Sequence, residues 1–158
     1  MFYSKISLQS DLSQLSEIES FVEDVMSQFK IEDDFSGILS VPLNECVKNA
    51  IVHGNKCNKD KKVKVEIQCE KSKLFFSITD EGQGFDYDSF LQKKIEQRTE
   101  NGLLLVEMLT EDLSFSNNGS QVSYKVNVPF SLPANTKRIK VLKQSQKIAA
   151  VKNIRMTV

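Results

Sequence analysis

The sequence has no tryptophan, a single histidine, three cysteines and no acidic residue after Asp112. Each scarcity narrows the field. Cys46, Cys57 and Cys69 form no Cys-x-x-Cys pair and cannot all pair within one chain, so a reduced cytoplasmic protein is expected. The lone His53, four residues before Cys57, offers a metal only two ligands. No apolar run approaches the ~20 residues of a membrane span. Met1-Phe2-Tyr3-Ser4-Lys5 lacks the charged flank and apolar stretch of a secretory signal. There is no internal repeat and no low-complexity segment.

What is present is ordinary for a soluble globular chain: 158 residues, 40% apolar and 27% charged. A chain of this length can bury roughly 70% of its unfolded surface in one domain. The formal net charge of zero conceals an asymmetry. Residues 1–112 carry thirteen Lys and Arg against twenty-one acids, a net −8, and residues 113–158 carry eight bases and no acid, a net +8. The acidic body argues against nucleic acid as a direct partner. The basic end (Lys137, Arg138, Lys140, Lys143, Lys147, Lys152 and Arg155) reads as a solvated extension.

Residues 2–8 alternate and predict a strand. Ser10 or Asp11 then caps a helix whose stripe is Leu12, Leu15, Ile18, Phe21, Val22, Val25 and Phe29. A second helix is expected from about Phe35 to His53, stopped by Gly54-Asn55, with a kink or a fresh start at Pro42. Residues 63–67 and 74–79 form a hairpin across Lys71-Ser72-Lys73. A weak helical signal runs from Phe90 to Ile95. Gly102 to Thr110 reads as a short apolar helix. Residues 113–116 and 122–128 form a second hairpin across Asn117-Asn118-Gly119-Ser120. Hairpin strands are antiparallel, and amphipathic helices must cover one face of their sheet. The fold expected is a two-layer α/β sandwich, a mostly antiparallel mixed sheet with helices on one face. Residues 1–130 make the domain, and residues 131–158 a basic extension without a clear period.

Three constellations carry chemistry. Glu45, Asn49 and His53 stand four apart and share one helix face, opposite the apolar Leu43, Val47, Ala50 and Ile51. Asp80-x-Gly82-x-Gly84 places an acceptor at a strand end beside a backbone that a flat ring can approach. Gly102 opens an apolar helix whose first N–H groups attract phosphate. Each alone is commonplace: a solvated face, a glycine turn, a helix cap.

Together, Leu43-Asn44-Glu45-Cys46-Val47-Lys48-Asn49-Ala50-Ile51-Val52-His53-Gly54-Asn55 and Ile78-Thr79-Asp80-Glu81-Gly82-Gln83-Gly84-Phe85 resemble the N-box and first glycine box of a known superfamily. It includes gyrase, histidine kinases, the large heat-shock chaperones and mismatch-repair ATPases (the histidine-kinase-like, GHKL or Bergerat ATPase fold). The small size and the wording around His53 resemble the bacterial anti-sigma-factor serine/threonine kinases over residues 1–130.

That resemblance implies ATP and Mg²⁺ as cofactors. It makes Glu45 the general base, Asn49 the Mg²⁺ ligand, and Asp80 the acceptor for the adenine amino group. Gly82 and Gly84 leave room for the ring, and Ser120 stands near adenine. His53 shapes the helix end by the nucleotide. In a short lid from Asp86 to Thr99, Arg98 with Lys93 or Lys94 is the evident source of phosphate-neutralising charge, and the helix start at Gly102 and Leu103 attracts phosphate. The implied partners are a sigma factor and a small antagonist protein, with a possible homodimer. One position departs from the pattern. Glu100 stands where the second glycine box has glycine, and a carboxylate ~4 Å from a phosphate charge costs up to ~4 kcal/mol at an effective dielectric near 20. The alternative is a binding module on the same fold that holds nucleotide weakly or not at all. A detached histidine-kinase catalytic domain is a further rival, but no histidine lies on an N-terminal dimerisation helix.

Overall fold

The computed structural model describes residues 2–70, 73–84 and 102–129. Within them, β1 (Phe2–Gln9) leads through α1 (Leu15–Phe29) and α2 (Ser36–Asn49) to β2 (Lys62–Glu70) and β3 (Lys73–Asp80). Helix α3 (Gly102–Leu109), β4 (Glu111–Ser116) and β5 (Gln121–Asn127) complete the order. The strands form one five-stranded sheet in the order β1-β2-β3-β5-β4, and all four described pairings are antiparallel. The helices cover one face of it, giving the two-layer α/β architecture.

Alternation fixes which face is covered. Val63, Val65 and Ile67 of β2 point inward with Leu74, Phe76 and Ile78 of β3 and Val122, Tyr124 and Val126 of β5, all buried. Lys64, Glu66 and Gln68 point the other way. The register places Val65 opposite Ile78, Ile78 opposite Val122, and Phe76 opposite Tyr124, whose rings stack with centroids 4.8 Å apart. A slip of one residue would turn this apolar row into water, so the register is strongly specified.

Helix α1 buries Ile18, Phe21, Val22, Val25 and Met26, as its 3-4 spacing requires. It starts later than expected. Residues Leu12–Gln14 form a 3-10 turn capped by Asp11, whose carboxylate accepts the Ser13 N–H at 3.0 Å. Leu12 therefore leaves the stripe and is 45% exposed. Ser10 is not the cap; it is buried, and its N–H donates to the Lys61 carbonyl.

Pro42 neither ends nor restarts α2, which runs through it. Proline has no N–H to give the Ile38 carbonyl, a loss that costs about 3 kcal/mol in a helix interior. Burial offsets it: Leu39, Leu43, Val47 and Ile51 are at most 1% exposed, and a fully buried Leu or Ile contributes about 1.5–3 kcal/mol. The end of α2 also departs from expectation. Beyond Asn49 the chain widens into a π turn, Ala50–Gly54.

The two hairpins fall where the alternation puts them. Strand β4 begins earlier than expected, with a register irregularity between Glu111 and Ser114 around the left-handed Asp112. The weak helix at 90–95, the lid with Arg98, Glu100 and the extension 131–158 lie outside the described residues. No helix among the described residues is long and apolar enough to cross a membrane.

Candidate functional site

The site grows from the π turn. The Asn55 N–H donates to the Ala50 carbonyl five residues back at 2.8 Å, and the Cys57 N–H reaches the Ile51 carbonyl at 2.8 Å. Lys56 and Cys57 then both take left-handed backbone, which reverses the chain toward β2. π turns of this kind insert a residue into a helix and re-aim the side chains after it. Here the re-aimed residue is Gly54, which is set directly against the Asp80 carboxylate. A Cβ at Gly54 would lie 2.7 Å from Asp80 Oδ1 and closer still to Cγ and Oδ2. No side chain fits between them.

Asp80 is the last residue of β3, and its inward parity in that strand buries it to 9% exposure. Its N–H donates to the Ser120 carbonyl at 2.9 Å, and Oδ1 accepts the Gly82 N–H at 2.7 Å. Burial raises the carboxyl above the ordinary aspartate range, opposed by the Gly82 N–H and the Lys61 charge. A half-satisfied carboxylate in such a place suits one more donor.

Asn55 clamps this corner. It is 1% exposed; its Nδ2 donates to the Lys62 carbonyl at 2.9 Å and its Oδ1 accepts the Glu81 N–H at 2.8 Å. Glu81 returns the tie, accepting the Lys62 N–H at 2.6 Å. The helix end, the start of β2 and the end of β3 are thus held by one amide. Sequence reasoning gave Asn55 only a helix-stopping role. The available signal was its chemistry: next to a helix-ending glycine, an amide can donate and accept at once.

Beside this corner is a small hollow of about 20 Å³. Ala50, Ile78, Leu103 and Val122 make an apolar wall; Asn49, Asp80 and Ser120 supply polar groups. Cys46 also faces it, and burial pushes its thiol far above the usual range, so that wall is uncharged. An apolar wall with a carboxylate at its rim offers the chemistry that recognises an exocyclic amine on an apolar ring. Ser120 contributes through its turn: its hydroxyl donates to the Asn117 carbonyl at 2.9 Å, and its carbonyl holds Asp80. Gly84 packs on the Asn118 carbonyl of the same turn.

Glu45 is half-buried one turn before Asn49, and its carboxylate rests on the start of α3. A Cβ at Gly102 would come within 2.9 Å of Glu45 Cδ and closer to Oε2. The structure therefore brings Asn49, Asp80, Leu103 and Ser120 around one hollow, with Gly82 and Gly84 behind Asp80 and the Glu45–Gly102 pair at α3. His53 is the exception. It shares the i, i+4 spacing, but the π turn breaks that face, and His53 is exposed and outside the hollow's lining. The glycine cradle, the apolar wall and the Asp80 and Asn49 side chains supply the kinds of group a nucleotide would meet, in a hollow that is narrower than a purine ring as it stands.

The family described as the histidine kinase-like ATPase domain matches residues 8–125. The chain is 29% identical over 121 residues to the anti-sigma F factor of Bacillus subtilis and, equally, to that of Bacillus velezensis. Each match spans 70% of this chain and 82% of the relative. Among solved structures, the RsbU and RsbW domains of a Mycobacterium tuberculosis protein share the fold at a TM-score of 0.59 and 14% identity. That likeness covers 85% of this chain and 34% of the other.

Proposed function

The chain belongs to the histidine kinase-like ATPase domain family, and from that premise we propose that it is an ATP- and Mg²⁺-dependent serine/threonine protein kinase of the anti-sigma type. The observation that carries the reading is the seat of Asp80. It is a buried carboxylate at the rim of an apolar slot, backed by Gly54 and Gly82, with Asn49 in the same lining. The relatives' name, anti-sigma F factor, supports a sigma factor as binding partner and a small antagonist protein as substrate.

When bound, ATP supplies the phosphoryl group and Mg²⁺ neutralises part of the phosphate charge. In this reading Asp80 accepts a hydrogen bond from the adenine amine. Ala50, Ile78, Leu103 and Val122 keep water from the ring. Gly82 and Gly84 hold the turn that frames it, and Ser120 closes its edge. Asn49 offers a neutral oxygen to Mg²⁺. Glu45 takes the proton from a serine or threonine hydroxyl of the antagonist as that oxygen bonds to the γ-phosphorus and the bond to ADP breaks. Arg98 is the cation for the phosphates. His53 shapes the end of the helix, outside the hollow's lining.

Calorimetry with ATP and Mg²⁺ tests the binding half: micromolar affinity is expected. Phosphate transfer to a matching antagonist, compared between wild type and Glu45→Ala, tests the chemistry; equal transfer removes Glu45 as the base. A second reading, a protein-binding module that holds nucleotide weakly, is favoured by Glu100 in the second glycine box. No heat at millimolar ATP would decide for it.

A further inference from the structure

The entry of β2 carries one lysine unlike its neighbours. Lys56, Lys59 and Lys62 are exposed, whereas Lys61 is half-buried. Strand parity accounts for the difference. Val63, Val65 and Ile67 point inward, and Lys61 continues that parity just before the strand begins. Val63 stands opposite Asp80 in the register, so Lys61 is diagonal to Asp80 on the same side of the sheet. Diagonal neighbours on one face lie about 7–8 Å apart, within reach of a long side chain. The Lys61 backbone is fixed at both ends: its N–H donates to the Asn58 carbonyl at 3.0 Å, and its carbonyl accepts the Ser10 N–H at 3.0 Å. Lys62 is held in turn by Asn55 and Glu81. The segment that presents Lys61 is therefore tied into the clamp that seats Asp80.

We propose that Lys61 is a positioning residue for nucleotide recognition: its ammonium, on the inward side of the β2 entry, holds the Asp80 carboxyl in the ionised form that accepts an amine. This deepens the nucleotide reading above and rests on it. The need for such a cation arises from the seat of Asp80. Oδ1 already accepts the Gly82 N–H, so a proton on the acid would sit on Oδ2, the oxygen left to receive an amine. Burial favours that neutral acid, and the Lys61 charge and the Gly82 N–H oppose it. Among the described residues, the other groups around Asp80 supply no second cation. Asn49, Leu103 and Ser120 in the lining are neutral, and the Cys46 thiol is uncharged. The Glu81 carboxylate accepts the Lys62 N–H, Asp60 is exposed, and His53 lies outside the lining.

Calorimetry of full-length wild type, Lys61→Gln and Lys61→Arg with adenosine, from about pH 5 to about pH 8, tests it. Adenosine has no phosphate, so a lysine that merely attracts phosphates leaves its affinity unchanged. The ligand and His53 titrate alike in all three proteins and cancel from the comparison. At about pH 8 the three affinities are expected to agree within about twofold. At about pH 5 Lys61→Gln is expected to bind about three- to tenfold more weakly than wild type, and Lys61→Arg to follow wild type. The carbon-13 signal of the Asp80 carboxyl, titrated without ligand, should move its midpoint to higher pH in Lys61→Gln alone. Superimposable profiles for wild type and Lys61→Gln would overturn the role of Lys61 and leave the nucleotide reading standing. So would a loss in Lys61→Gln that is equal at every pH and shared by Lys61→Arg, which marks a structural role. If neither adenosine nor ATP with Mg²⁺ binds any of the three proteins, the nucleotide reading fails and the role of Lys61 with it.

Discussion

The two sides of the hollow are built differently. On the Asp80 side, a buried carboxylate, a glycine without room for a side chain and a fully buried amide interlock across α2, β2 and β3. On the Glu45 side, one half-buried carboxylate rests on the first residue of α3. The first arrangement is determined by many bonds within the chain and resists change. The second is the approach of one flexible side chain to a helix glycine. The Asp80 side is therefore the stiffer of the two.

Substitutions sharpen that contrast. The largest effect is expected for Asn55→Ala. It strands the Glu81 N–H and the Lys62 carbonyl in a part-buried place, at up to about 1–3 kcal/mol each. Urea unfolding should show the loss, and nucleotide affinity should fall with it as Asp80 loses its anchor.

Gly54→Ala comes next. Its methyl group enters the Asp80 carboxylate, an overpacking that costs about 1–3 kcal/mol and moves the acceptor out of the slot. ATP affinity is expected to fall by at least about tenfold for each ~1.4 kcal/mol of misplacement. The same exchange on the other side, Gly102→Ala, should leave stability within about 1 kcal/mol, since the half-buried Glu45 can turn aside and alanine favours a helix. Equal losses for the two glycine variants in urea would erase the distinction between the sides.

The smallest effect is in pH dependence. Asp80 sits above its ordinary pKa because burial disfavours the ionised form. Its contribution to stability is therefore present below the unfolded value of about 3.9 and is lost as pH rises through the folded value. Wild type should lose stability relative to Asp80→Asn as pH rises through that window. ATP binding, which needs the ionised acceptor, should strengthen over the same interval. Urea midpoints and calorimetry at matched pH check both; a constant difference between the two proteins would contradict the burial of charge.

Much of the fold was readable because its signals are local. Alternation at 63–67 and 74–79 gave both strands and their inward faces, and the 3-4 stripe of α1 gave its buried side. The misses arise where a nonlocal cost overrides a local rule. Pro42 was expected to kink α2 or start a fresh helix; α2 runs through it without a new start, held by the buried Leu39 and Leu43. Leu12 fits the stripe by spacing but falls on a 3-10 turn. In the site, Asn49 and Asp80 were visible from residue type and spacing. His53 lies outside the hollow's lining, because helical spacing was extended through a turn that is not α-helical. Asn55 was hidden because its partners, Lys62 and Glu81, are distant in sequence and appear only once β2 and β3 pair.

The π turn has a consequence for chain length. An α-helix bonds each N–H to the carbonyl four residues back, whereas Asn55 reaches five back to Ala50. Deleting one residue between Asn49 and Gly54 would rewind this stretch as a regular helix. Gly54 would then be carried by a tighter turn, and its close seat against Asp80 would shift. Here the count of residues matters as much as their kind: a deletion that removed no named functional group would still unseat the acceptor.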